Sequence, residues 1–157
     1  MFKSLLKSIV ALIIRLAGFT PEIPSPPNLI PIDSIKYDKK DGTITIGGLE
    51  PGVWLTTPVD TNSMDGLMDI GNTVILTNNP KFLNKRRLKE GAVIVWQKQI
   101  SGVAVPLVRI TVIHQIVEVG EDKEGWYCIT KGVNNFYPDI YKIRMHDIIW
   151  IMLGVIF

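Results

Sequence analysis

The chain contains very few residues of the kinds that form crosslinks or bind transition metals. It has one cysteine, Cys128, and two histidines, His114 and His146, among 157 residues. One cysteine excludes an internal disulfide, and the set is too small for a Cys/His metal cluster, so we expect no metal and no other cofactor. Cys128 lies in an alternating strand pattern and is interpreted as a buried core thiol, whereas His146 is interpreted as a turn residue.

The net charge is also small. The 17 Lys and Arg residues nearly balance the 15 Asp and Glu residues, which leaves a formal net charge of +2. A charge of this size does not indicate a nucleic-acid partner. The most basic stretch, residues 81–89, is interpreted as a solvated loop or helix face, with contact to anionic phospholipid headgroups as the functional alternative.

The amino-terminal segment lacks an apolar run long enough to cross a bilayer. Only residues 8–14 are uncharged between Lys7 and Arg15, well short of the roughly 20 residues that a spanning helix needs. Residues 1–20 instead follow the pattern of a cationic amphipathic helix, which we predict to lie at a membrane surface. Its apolar face comprises Leu5, Leu6, Ile9, Leu12, Ile13 and Leu16. The alternatives are a secretory signal peptide and a helix packed on the protein's own domain or on a partner.

The rest of the chain reads as a linker followed by a β domain. Residues 21–31 are rich in proline, which indicates a stiff, extended spacer. Residues 32–157 have the length of one domain with its own core, and their apolar alternation predicts a mostly β fold. Strands are predicted at residues 34–37, 43–46, 53–57, 73–77, 92–97, 106–119, 126–131 and 148–156, and a short helix at residues 65–70.

Three residues supply the chemistry of acyl transfer from a peptide bond. Ser63 follows a predicted extended run at residues 53–62, His114 lies inside a long predicted strand, and Asp139 follows a proline. A serine hydroxyl is a weak nucleophile until a neighbouring base accepts its proton, and a neutral histidine does this near physiological pH. A carboxylate then holds the imidazole tautomer and stabilises the imidazolium. The sequence therefore contains a candidate serine-peptidase triad.

The segments that carry these residues resemble blocks of the signal peptidases of the archaeal and endoplasmic reticulum type. The family nucleophile block, Ser-Met-x-Pro-Thr followed by a hydrophobic residue and Gly-Asp, is matched by Ser63, Met64 and Gly71. Its Gly-Asp-hydrophobic strand corresponds to residues 91–96. Its His-Arg block begins at His114, and its Thr-Lys-Gly-Asp-Asn-Asn block corresponds to residues 130–135, with a second family aspartate at Asp139. The likeness extends more distantly to the self-cleaving repressor peptidases.

The resemblance implies a signal-peptidase-like, partly open β-barrel with Ser63 as nucleophile, His114 as base and Asp139 as the residue that orients the base. The implied function is a membrane-associated serine endopeptidase that cleaves an extended peptide or preprotein after small residues. The peptide is expected to add as a strand beside residues 53–62. The Ser63 N–H is expected to bind the oxyanion. Further oxyanion or substrate contacts are expected from Thr61, Asn62 and Met64.

Five positions depart from the family pattern and leave two alternatives open. Gly66 replaces a proline, Leu67 a threonine, Asn72 an aspartate, Gln115 an arginine and Val133 an aspartate. The last two alter the support of the site and favour a noncatalytic structural or assembly protein on the same fold. The other alternative is a self-processing peptidase of the repressor type that cuts at Ala17-Gly18, although enzymes of that type use a lysine base where this chain has His114.

Overall fold

The computed structural model describes residues 24–49, 52–102 and 105–157, with side chains described outside residues 100–107. The amphipathic helix predicted for residues 1–20 lies outside the described residues, as does the start of the proline-rich linker. Within the described part of the chain, no helix is long and apolar enough to cross a membrane.

The described residues form nine strands and two single-turn 3-10 helices, which confirms the mostly β fold. The strands are β1 (Ile35–Asp38), β2 (Thr43–Ile46), β3 (Val53–Thr56), β4 (Thr73–Thr77), β5 (Val93–Gly102), β6 (Val105–Asp122), β7 (Gly125–Lys131), β8 (Ile143–Arg144) and β9 (Ile148–Ile156). The 3-10 helices are Ile32–Ser34 and Met145–Asp147. Every predicted strand has a counterpart at nearly the predicted position. The two-residue strand β8 was not predicted because it is too short to carry an alternating pattern.

The strands form two antiparallel sheets. Strands β1 and β2 make a small hairpin sheet, and the other seven strands lie in the order β3-β4-β9-β5-β6-β7-β8. Strand β9, the last in the chain, lies between β4 and β5 near the centre of the large sheet. Strands β3 and β8 are its two edges and do not pair with each other, so across the described residues the sheet is open.

Alternation along the strands divides the core between the two faces of the large sheet. Ile94 and Trp96 of β5 point into one cluster, which also contains Cys128. Val93 and Val95 point into the other cluster, which packs against the loop that follows β3. The buried members of that second cluster are Met64, Met68, Val74, Leu76, Val93, Val95 and Met152. The core therefore places the Ser63–Met64 loop against one face of β5 and β6.

One local prediction differs from the structure. Residues 65–70 form turns instead of a helix, because Gly66 has φ +90° and Gly71 has φ +93°, and both conformations interrupt helical hydrogen bonding.

The β6–β7 ladder continues to the pair Asp122 and Gly125, so only two residues turn the chain. Arg144 supports this hairpin by a two-point ion pair with Asp122, and Arg144 followed by Lys142 holds the pKa of the Asp122 carboxyl well below its usual range.

The described part of the proline-rich segment, residues 24–31, packs on the β domain. Leu29 is 4% exposed and belongs to the main core cluster. The buried Gln115 amide donates to Pro24 O at 2.8 Å and to Gly91 O at 3.0 Å. A Cβ at Gly91 would lie 2.5 Å from Ser25 O, so this close approach of two backbones requires glycine. The segment is therefore fixed to the domain at both ends of its described length.

Candidate active site

His114 lies in the middle of β6, where it pairs with Ile94 of β5. Its side chain is buried, and its Nδ1 lies 2.7 Å from Asp139 Oδ2. Asp139 comes from the loop after β7, and its backbone N–H donates to Thr130 O at 2.7 Å, which fixes that loop against the end of the strand. The structure therefore brings together the predicted base and the predicted carboxylate.

Two further residues hold the carboxylate in place. The Thr130 hydroxyl donates to Asp139 Oδ2 at 2.5 Å and accepts a hydrogen bond of 3.1 Å from Trp96 Nε1. Thr130 and Trp96 are fully buried, so neither group exchanges its partner for water. Thr130 lies in a block that resembles the family's, but the sequence pattern assigned no role to Thr130 or to Trp96. The signal that points to this support is a polar residue in a buried strand, nine residues before the aspartate.

The hydrogen bonds around Asp139 determine which imidazole nitrogen can act. A carboxylate accepts but does not donate, so Nδ1 of neutral His114 carries the proton that Asp139 accepts. The lone pair then lies on Nε2, which makes no hydrogen bond with any described residue. This is the tautomer that a general base for a serine hydroxyl requires.

Ser63 lies on a loop that contacts the loop carrying Asp139. Asn62 just before it has φ +54°, a left-handed conformation that asparagine tolerates better than most residues. Ser63 O accepts from the Asn134 N–H at 3.0 Å, and the Asn134 side chain donates to Asn62 O at 2.9 Å. Asn134 thus fixes the backbone on both sides of the Asn62–Ser63 peptide bond.

Gly132 makes this contact possible. Lys131 pairs with Gln115 at the end of β7, so continuing the register by one residue sets Gly132 beside His114. A Cβ at Gly132 would lie 2.5 Å from Ser63 O, and therefore the Ser63 loop can pack at this position only over glycine. The backbone of Ser63 consequently lies next to the strand position of His114.

The Ser63 hydroxyl itself is 3.0 Å from the Thr61 hydroxyl, and no hydrogen bond joins it to His114 among the described residues. The structure thus brings His114 and Asp139 into contact, whereas the Ser63 hydroxyl bonds to Thr61 and the Ser63 backbone contacts the loop that carries Asp139. The N–H groups of Ser63 and Met64 donate to no acceptor in the described residues, which leaves them able to bind an oxyanion. Of the predicted oxyanion and substrate residues, Thr61 and Asn62 are exposed and Met64 is buried in the core.

A narrow cleft runs beside the nucleophile loop. It has about 20 Å³ of free volume and is lined by Thr61, Asn62 and Met64 together with Ile113, the neighbour of His114. A cleft of this volume has room for about one water molecule.

Two of the residues that depart from the family pattern, Val133 and Gln115, lie in apolar surroundings or make structural hydrogen bonds. Val133 is half-buried and packs against the cluster that contains Met64. Gln115 is 2% exposed, and its Nε2 holds the linker and Gly91, while its Oε1 has no hydrogen-bond partner. The residue that follows the base therefore anchors the start of the domain and does not contact the site's carboxylate.

The remaining titratable candidates lie apart from this site. Burial raises the pKa of the Cys128 thiol to about 12, with a smaller contribution from Asp147, so the thiol stays protonated and unreactive at neutral pH. His146 is exposed in the Met145–Asp147 helix, and Asp147 accepts from the Arg144 N–H at 2.8 Å as a local cap. The described residues contain no group of His, Cys, Asp and Glu side chains able to hold a metal ion.

Comparison with models of protein families, with curated proteins and with solved structures finds no match. The likeness to signal peptidases therefore rests on the order of the sequence blocks, and the candidate site rests on its geometry.

Proposed function

We propose that this protein is a membrane-associated serine endopeptidase with a signal-peptidase-like domain. The observation that carries the proposal is the buried chain of hydrogen bonds from Trp96 through Thr130 and Asp139 to His114, which ends beside the loop of Ser63. A histidine oriented by a buried carboxylate, with its second nitrogen unpaired and a serine loop packed next to it, is the arrangement of an activated hydroxyl nucleophile.

The mechanism follows from this arrangement. In the proposed reaction the Ser63 hydroxyl leaves Thr61 and bonds to His114 Nε2, which accepts the proton as Ser63 Oγ attacks the scissile carbonyl. The resulting oxyanion is stabilised by the Ser63 N–H, and Asp139 stabilises the imidazolium. His114 then gives the proton to the leaving amine. Water hydrolyses the acyl-enzyme with His114 again acting as base.

The substrate is an extended peptide that adds to the free edge of β3. Within the part of the chain that the structure describes, strand β3 pairs only with β4, so its other edge offers unpaired backbone groups to a peptide. The side chains of Trp54, Leu55 and Val59 are exposed along this edge and the segment after it. The narrow cleft beside Met64 favours small side chains before the scissile bond.

Ser63→Ala tests the peptidase proposal directly. The full-length protein is incubated with a peptide that has small residues before the scissile bond, in the presence of anionic vesicles, and the products are measured by mass spectrometry. Turnover by the wild type and by the control Ser34→Ala, with nearly complete loss in Ser63→Ala, is the expected result. Full turnover by Ser63→Ala would overturn the proposal. A product beginning at Gly18, present in the wild type and absent in Ser63→Ala, would instead favour self-processing.

The membrane association rests on the pattern of residues 1–20 and on exposed apolar side chains beside the site. Phe136, Tyr137 and Ile140 surround Asp139 and are largely exposed. We expect the full chain to float with anionic liposomes and the double variant Ile9→Asp, Ile13→Asp to remain in solution, because burying a large aliphatic side chain is worth roughly 1.5 to 3 kcal/mol. Unchanged flotation of that double variant would contradict the role of residues 1–20.

A noncatalytic assembly protein is the second candidate. The observation that favours it is the hydrogen bond of the Ser63 hydroxyl to Thr61 in place of His114. In that case Thr61 and Ser63 form part of a binding surface, and the wild type has no turnover under conditions in which it still binds the peptide.

A further inference from the structure

A second cavity lies away from the Ser63 site, at an edge of β5. Strand β9 pairs with β5 only through Ile94, Val95 and Trp96, so from Gln97 onward this edge of β5 has no partner strand among the described residues. The Met145–Asp147 helix, which leads into β9, stands beside the unpaired edge. A notch of about 440 Å³ lies between them. We name it the β5 notch.

The β5 notch is separate from the candidate active site. His114 pairs with Ile94, and Gln97 is three residues further along β5, a distance of about 10 Å at the rise of a strand. Because strand side chains alternate, Gln97, Gln99 and Arg109, the cross-strand partner of Gln99, lie on the opposite face of the sheet from His114. Lys98 lies on the His114 face and lines the notch from the other side of the unpaired edge. Binding in the notch therefore does not require the catalytic residues.

The side chains of the β5 notch come from four elements, and more of them are basic than acidic. Lys98 of β5, Arg109 of β6 and His146 of the 3-10 helix line it, with one carboxylate from Asp147. That carboxylate is already engaged, since Asp147 Oδ2 accepts from the Arg144 N–H at 2.8 Å and from Lys98 Nζ at 3.3 Å.

Arg109 is the side chain most available to a ligand. It is exposed, and among the described residues it forms no ion pair. Its guanidinium presents a planar fork of donors that matches two oxygens of a phosphate group. Lys98 is held at the notch by its hydrogen bonds to Lys142 O and Asp147, so a second cation is fixed in position before any ligand binds.

We propose that the β5 notch binds a phosphate-bearing anion, with Arg109 as the main contact and Lys98 and His146 as further hydrogen-bond donors. The volume fits a ligand the size of a phosphorylated headgroup or metabolite. The same chemistry has two sources, a phospholipid at the membrane surface or a free phosphate compound. This inference does not depend on the peptidase activity.

Inorganic phosphate titrated into the full-length protein tests the site, with calorimetry as the measurement. Arg109→Gln is compared with Arg87→Gln, an exposed arginine in the basic stretch at residues 81–89, so that both variants change the net charge equally. We expect phosphate to bind Arg109→Gln about tenfold more weakly than the wild type, the loss that one charge-assisted contact represents. Arg87→Gln is expected to stay within about twofold of the wild type, since a distant surface charge is screened.

Vesicles of phosphatidylglycerol in phosphatidylcholine distinguish the two sources. If the ligand is a lipid headgroup, Arg109→Gln reduces binding to these vesicles more than Arg87→Gln does. If the ligand is a free phosphate compound, the two variants bind the vesicles equally, and only Arg109→Gln loses affinity for inorganic phosphate. Equal behaviour of the two variants in both assays would overturn the proposal. Should Arg109→Gln lower the thermal unfolding midpoint, His146→Gln serves as the test variant, because its side chain is largely exposed.

Discussion

The two halves of the candidate site are built in different ways. The base half consists of His114, Asp139, Thr130 and Trp96, which lie on paired strands or on a loop fixed to one, and whose polar groups are joined by short, largely buried hydrogen bonds. The nucleophile half is the loop around Ser63, held mainly by backbone contacts to Asn134 and by the packing of its neighbours.

This difference indicates where the site is preorganised and where it must move. In the base half, changing one residue leaves a buried donor or acceptor without a partner, which costs about 1 to 3 kcal/mol. In the nucleophile half, the Ser63 hydroxyl bonds only to the exposed Thr61 hydroxyl among the described residues, and water replaces that bond at little cost. The proposed mechanism therefore needs a movement in the nucleophile half and none in the base half.

The largest expected effect is the loss of the base. His114→Ala should lower kcat by about 10⁵- to 10⁶-fold, and the double variant with Ser63→Ala should be little worse than either single variant, because residues that act as one unit are not additive. Single-turnover measurements on the two single variants and the double variant check this. Multiplicative losses would mean that Ser63 and His114 act independently, which breaks the proposed link between the two halves.

A smaller loss is expected when the base keeps its position but loses its orienting charge. Asp139→Asn preserves the shape of the site but gives His114 the wrong tautomer, and kcat should fall by about 10³- to 10⁴-fold with little change in KM. Asp147→Asn, which alters a carboxylate outside the site, is the matched control, and its kcat should stay near that of the wild type. Activity of Asp139→Asn within about tenfold of the wild type would show that the buried carboxylate is only structural.

The placement of the nucleophile half is tested at Gly132. A methyl group there would meet Ser63 O at 2.5 Å and the Asn135 amide at 2.7 Å, so the Ser63 loop must shift. We expect Gly132→Ala to lose about 10²-fold in kcat and about 1 to 3 kcal/mol of unfolding free energy.

Gly47→Ala provides the control for that experiment, because its added methyl group would make an ordinary contact of 3.5 Å with Ser34 O. It should leave both kcat and the urea midpoint nearly unchanged. If Gly132→Ala behaves like Gly47→Ala, the Ser63 loop is not held against the strand of His114.

The smallest effect concerns the rigidity of the base half. Cys128 is fully buried in the same core cluster as Trp96, and burial raises its pKa to about 12. At pH 8 a thiol reagent should therefore label the native protein far more slowly than the unfolded protein. The native protein should keep its activity until it is labelled. Fast labelling of the native protein would mean that the base half opens readily, and the contrast between the two halves would disappear.

The sequence by itself determined the features that depend on local pattern. Apolar alternation located the long strands β5, β6 and β9, since side chains of a half-buried strand repeat with a period of two. The strand pattern around Cys128 correctly indicated a buried thiol. The sequence blocks also named Ser63, His114 and Asp139 as candidates, and two of these three side chains lie in contact.

Only the tertiary structure decided the features that join distant parts of the chain. The position of β9 between β4 and β5, the support of Asp139 by Thr130 and Trp96, and the attachment of Pro24 by Gln115 all depend on pairings between residues far apart in sequence. The rotamer that joins Ser63 to Thr61 depends on loop packing that no periodicity encodes. Local pattern determines which residues face the core, but the free energy of long-range packing selects which of them meet.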